Sequence, residues 1–168
     1  MNDTEMDLFL ARALELGAAD AKLIDPASIV TAAWVRLKCQ FGCSLYNSSL
    51  CCPPHSPPPE ETRRVLDCYR RAILVRCQPG VYVKTLVVTL EREVFLAGYY
   101  KALALGAGPC FQCEECSFDR CRHPETARPA MEASGIDVYA TVRANGLPLE
   151  VVTDHDGDQN YYGVVLVD

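Results

Sequence analysis

Residues 110–124 read CFQCEECSFDRCRHP, which sets Cys110, Cys113, Cys116 and Cys121 within twelve residues and follows them with His123. Sulfurs at C-x2-C-x2-C spacing sit around one tight turn, close enough to hold three corners of an iron–sulfur cubane. The fourth, four residues on, is near the spacing of bacterial ferredoxin loops. Zinc sites more often use two C-x2-C knuckles separated by a longer stretch, because a tetrahedral ion is approached from two directions. The spacing therefore predicts a [4Fe-4S]-type site, with zinc as the alternative. Cys121 closes the local set or reaches across to another, as the fourth cysteine does in two-cluster ferredoxins.

A second group lies upstream, at Cys39-x3-Cys43 and then Cys51-Cys52-Pro53-Pro54-His55. Adjacent cysteines rarely both bind one metal. Cys52 is taken as the ligand because a proline directly after it stiffens the loop and shields the sulfur; Cys51, His55 and His123 are secondary candidates. A radical-SAM motif would need another cysteine three residues after Cys43, where Tyr46 stands. Two readings stay open for Cys39, Cys43 and Cys52. Three thiolates leave one iron free to bind substrate as a Lewis acid or to accept sulfur, or else Cys51, His55, Cys68 or Cys77 closes the site. Cys68 and Cys77 are otherwise read as small buried hydrophobes.

Composition narrows the chemistry. The start, MNDTEMDLFLARALELG, has neither the basic head nor the cleavage site of a signal peptide, so a cytoplasmic location is expected. In a reducing compartment ten cysteines point to metal rather than to disulfides. A net charge of −6 argues against nucleic acid or an anionic membrane surface as partner, and no apolar run reaches the roughly 18 residues of a membrane span. There is no phosphate-binding glycine loop, dinucleotide fingerprint or nucleophile–base motif. DHDGDQN alternates acidic residues but lacks the glycine and the glutamate of a calcium loop, and reads as a solvated turn. Arg120, Arg122, Arg128 and Arg143 are candidates to gather near the second cysteine group, against a default of solvated surface.

The elements that must hold these loops follow from periodicity and breakers. Residues 4–17 predict a helix stopped at Gly17, and Ala21–Ile24 a short strand. Cys39 to Pro59 reads as loop. A helix begins at SPPPEET, where proline and Glu60/Glu61 suit a first turn, and Ile73–Cys77 is a candidate strand. Val81–Leu105 reads as a buried helix after a possible short strand, and Gly106 and Gly108 deliver the chain to Cys110. Two short helices follow, Ala130–Ser134 and an Asp137-capped Val138–Ala144, then a core strand in YYGVVLVD. The expectation is an α/β fold: one domain over residues 1–168, with a small sheet, packed helices and two cysteine-rich metal-binding loops.

With both motifs in view, the chain resembles a family of small, cysteine-rich, predicted metal-binding proteins of unknown function that occurs mainly in anaerobic bacteria and archaea. The resemblance rests on KCQFGCSLYNSSLCCPPH, LEREVFLAGYYKALALGAGPC, CEEC…CRHPETARPAMEASGIDV and the closing strand. It implies metal binding, with iron–sulfur the expected form, and no mechanism. The expected function is an iron–sulfur protein with two [4Fe-4S]-type sites, serving electron transfer or a reductive or sulfur-handling reaction. A redox or enzyme partner protein, or a small-molecule substrate, would go with it. The alternative is a non-enzymatic zinc-stabilised scaffold, or a metal carrier or sensor that docks on a partner.

Overall fold

The computed structural model describes residues 3–154, 157 and 159–168. Its centre is a four-stranded sheet of order β1-β2-β4-β3, from β1 (Asp20–Ile24), β2 (Ala72–Cys77), β3 (Leu103–Leu105) and β4 (Tyr161–Leu166). Every neighbouring pair is antiparallel, with Ile73 opposite Leu23 on one side and Val165 on the other. The strands are the Ala/Ile/Leu/Val runs of the sequence. β2 and β4 carry side chains buried on both faces, which is why they read as continuous apolar stretches instead of alternating ones.

Each face of the sheet is covered. Ile73, Val75, Cys77 and Val165 pack under α1 (Asp3–Glu15) and α4 (Val83–Leu96), through Met6, Phe9, Leu86, Val87, Leu90 and Val94. Ala72, Leu74, Val164 and Leu166 pack on the other side against Leu66 of α3 (Pro59–Leu66), Val138 and Val142 of α5 (Val138–Ala144), Met131 and Ile136. α4 lies so close to β4 that a Cβ at Gly163 would stand 2.8 Å from methyls of Val83 and Val87. An alanine there would push the helix off the sheet.

The expected small sheet with packed helices is what forms, with local differences. The stretch before α4 is a turn, not a strand, and the additional strand β3 comes after the helix, at Leu103–Leu105. Ala130–Ser134 holds only a short 3₁₀ turn at Glu132–Ser134, too short for a helix but wound tightly enough to bury Ala133 and Ser134. Cys39 is not in a loop: α2 (Ala33–Gly42) carries it. No helix among the described residues is long and apolar enough to cross a membrane. In DHDGDQN, Asp156 and Asp158 lie outside the described residues.

Both cysteine loops are pinned to one largely buried stretch, Ala130–Asp137. The excursion from Gly106 to Ala130 is closed at its base by a parallel bridge, in which Gly106 N donates to Pro129 O and Met131 N to Gly106 O, both 2.9 Å. The upstream excursion starts where Thr31 bridges Ile136, with Ala32 N donating to Gly135 O (2.9 Å) and Asp137 N to Val30 O (2.8 Å). It ends where Ser56 Oγ donates to Ala133 O and Thr62 Oγ1 to Ser134 O, both 2.6 Å.

Candidate metal centre

The x3 spacing of Cys39 and Cys43 is helical. Cys39 stands one turn before the end of α2, and Cys43 is its C-terminal capping residue, so i, i+4 geometry brings both sulfurs to one side. Only Val35 of α2 is buried, so core packing does little to hold this helix. Arg36 does more. Its Nη1 donates to Ser56 O (3.1 Å), Pro57 O (2.8 Å) and Ala133 O (3.1 Å), clamping the helix to the end of its own loop and to the shared anchor. Burial raises the Cys39 thiol above its ordinary pKa, followed by the charges of Cys43, Glu132 and Cys52. Cys39 and Cys43 face an open groove of about 520 Å³ walled by Trp34, Val138, Tyr139 and Val151.

The downstream group has a different build. Cys110, Cys113, Cys116 and Cys121 line a cavity of about 340 Å³ in a segment without helix or strand. Its opposite wall is the upstream loop, residues 45–51. The two loops touch in detail: Leu50 N donates to Cys116 Sγ at 3.5 Å, and the ring of His55 lies 4.9 Å from that of Phe118. Burial, the largest effect, pushes the pKa of the Cys51 thiol up to about 12, with Cys110 and Cys121 raising it further. Cys51 lines this cavity, and its neighbour Cys52 does not.

α4 supplies the electrostatics. Lys84 and Glu91, two turns apart, share a face of that helix. The Glu91 carboxylate accepts from Arg128 Nε (2.8 Å) and Nη2 (2.6 Å) and from Ala104 N (2.7 Å), tying the return of the downstream loop to β3. Glu91 raises the Arg128 pKa further, and Arg128 also feels Cys51 and Cys121. Lys84 is only 7% exposed, and among the described residues its ammonium has no hydrogen-bond partner. Burial lowers its pKa, while Cys51, Cys110, Cys52 and Glu132 pull it back up. Gly106 makes room for it: a Cβ there would stand 2.5 Å from Lys84 Cγ.

The remaining candidates separate. His55 Nε2 donates to Asn47 Oδ1 at 2.8 Å within the upstream loop, and His123 lines the downstream cavity with Nδ1 3.9 Å from Glu125. Cys77 is fully buried in the core, its pKa raised to about 11 by burial, as a small hydrophobe would sit. Cys68, expected to be buried, is exposed just past the end of α3, where the helix stops short of it, and its thiol caps Arg64 O. Of the four arginines, Arg122 and Arg128 lie by the downstream group; Arg143 instead lies over the Tyr139 ring on α5. Among the described residues no three His, Cys, Asp or Glu side chains stand together as a ready-made single-ion site.

Lys84, Glu91 and Arg36 were missed in the sequence. The one available signal was Lys84 itself, a lone charge inside the apolar run VYVKTLVV. The sequence matches the family of predicted metal-binding proteins designated DUF2284 over residues 22–83 and 78–167. No curated protein and no solved structure matches it.

Proposed function

The chain belongs to the DUF2284 family of predicted metal-binding proteins, and on that premise we propose that it is a cytoplasmic, single-domain iron–sulfur protein with two [4Fe-4S]-type sites, serving electron transfer or a reductive or sulfur-handling reaction. Cys110, Cys113, Cys116 and Cys121 would hold one cluster, and Cys39, Cys43 and Cys52 the other. When bound, such a cluster supplies one-electron transfer, and at an open iron it supplies Lewis acidity. A redox or enzyme partner protein, or a small-molecule substrate at the upstream groove, goes with this reading.

The observation that carries it is the donor set of the downstream cavity. Four thiols and a donated backbone N–H to sulfur surround about 340 Å³, room for a group of several atoms and more than a bare ion fills. Thiolates are the ligands of iron–sulfur clusters, and N–H···S bonds tune their potential. The chain's own contribution is to orient sulfurs, to supply N–H donors and to bring cationic charge near them.

Anaerobic purification tests it. The protein is expected to be brown, with broad visible absorbance and stoichiometric iron and acid-labile sulfide, and Cys39→Ala and Cys110→Ala are each expected to remove one cluster. A colourless protein carrying stoichiometric zinc would overturn the iron–sulfur reading in favour of a zinc-stabilised scaffold, carrier or sensor.

A further inference from the structure

We infer that the downstream centre is built by two loops: Cys51 is a thiolate ligand alongside Cys110 and Cys121, and the buried Lys84 ammonium is the positioning cation that faces them. This rests on the metal-binding reading and extends it to residues outside the C-x2-C-x2-C-x4-C run.

The Cys51–Cys52 pair carries the first half. Successive side chains on a turn diverge, and here only one of the two reaches the downstream cavity. Cys51 lines it together with Cys110, Cys113, Cys116 and Cys121, whereas the equally buried Cys52 is not on that wall. Cys51 is 9% exposed and lines the same cavity as the four downstream cysteines. The Leu50 N–H to Cys116 sulfur bond fixes the residue before it against the same cavity. A thiol needed only as filler would not require a second loop folded over the first.

Lys84 carries the second half. A buried ammonium without a partner is among the costlier features a fold can keep, and this one is more than nine-tenths buried, with its nitrogen unpaired among the described residues. Glycine at position 106 leaves space for its stem, and Lys84 lines one cavity together with Cys110. An anionic metal–thiolate group beside it supplies the missing counter-charge. The Cys51–Cys52 peptide joins the two centres covalently.

The test uses the full chain, reconstituted anaerobically with iron and sulfide and, separately, with zinc. A Cys39→Ser/Cys43→Ser background leaves the downstream centre as the reporter. In it, Cys51→Ser is expected to weaken metal retention about tenfold or more, the scale on which even outer-sphere losses act, and Cys68→Ser, at an exposed thiol outside both groups, to leave retention unchanged. Equal retention with and without Cys51 overturns the inference while the metal reading stands. Wild-type chain that retains neither iron nor zinc overturns both. A Cys51–Cys110 disulfide in the mass spectrum of the anaerobically prepared, unreduced protein overturns the ligand role as well. Lys84→Met gives an independent readout that does not depend on how Cys51→Ser folds. Loss of a cation beside an anionic cluster lowers its midpoint potential, and Lys84→Arg returns it toward wild type. Identical potentials in all three proteins overturn the assignment of Lys84.

Discussion

The two cysteine groups hang from one anchor, Ala130–Asp137, yet are built by opposite means. The upstream group uses regular structure: a helix spaces Cys39 and Cys43, and an arginine clamp holds that helix against the end of its own loop. Its groove is open and walled by Trp34, Tyr139 and valines. The downstream group has no regular structure of its own and takes its shape from a bridge at its base, an ion pair to α4 and the neighbouring loop. It is also where buried positive charge collects, at Lys84 and Arg128. An open, apolar-walled group suits contact with an outside molecule. The downstream group differs in the cationic charge set beside it, at Lys84 and Arg128.

The largest separation of the two is expected from Glu91→Ala. It strands Arg128 in a half-buried setting and frees the Ala104 N–H, a loss of about 3 kcal/mol on the scale of broken buried pairs. Denaturation should register that loss, and metal analysis should show the downstream centre depleted with the upstream one retained. Equal depletion would mean that the two groups are not separately anchored. Next is thiol reactivity in the metal-free chain, since the thiolate is the nucleophile. With the Cys51 pKa pushed up to about 12, alkylation followed by mass spectrometry near neutral pH should modify exposed Cys43 at least about a hundredfold faster than Cys51. The ratio should shrink as pH rises toward that value.

Arg36→Met keeps an apolar stem and removes three donated bonds. It is expected to cost about 2 kcal/mol and to loosen the upstream group alone, seen as faster hydrogen exchange over α2 with no change over residues 107–129. The smallest effect belongs to a control that should not distinguish the two. Arg71 pairs with Asp168 at 2.6 Å and holds its carboxyl below the usual range. A carboxylate whose pKa is depressed by folding contributes stability that is present above its unfolded value near 4 and lost as pH falls through the depressed one. Asp168→Asn should lower Tm by a few degrees, about 1 kcal/mol in a chain of this size. It should also flatten the acid side of the stability profile and leave both metal contents unchanged.

Much of the scaffold was legible because its signals are local. Proline and acidic residues opening α3, Asp137 capping α5 through a 2.9 Å bond from Ala140 N, and the apolar runs of β2 and β4 each state their element within a few residues. The misreadings fall where locality fails. α2 buries only Val35 and has no side-chain N-cap, so periodicity had little to report, and the helix is held by Arg36 reaching twenty residues and more ahead. Ala130–Ser134 looks helical by composition, but its residues are spent on hydrogen bonds to two distant loops.

What the sequence determined by itself was the chemistry on offer: seven candidate thiol ligands in two groups, the C-x2-C-x2-C turn, and the apolar strands and helices that could support them. Ligand softness and loop spacing are properties of residue type and short separation, so they survive in one dimension. Only the tertiary structure decided how the groups are composed. It put Cys51 and not Cys52 on the wall of the downstream cavity, buried Lys84, and joined Glu91 to Arg128 across 37 residues. Those relations depend on which loop packs over which. That is set by closure of the two excursions on a common buried segment, and no window of the sequence contains both ends of either.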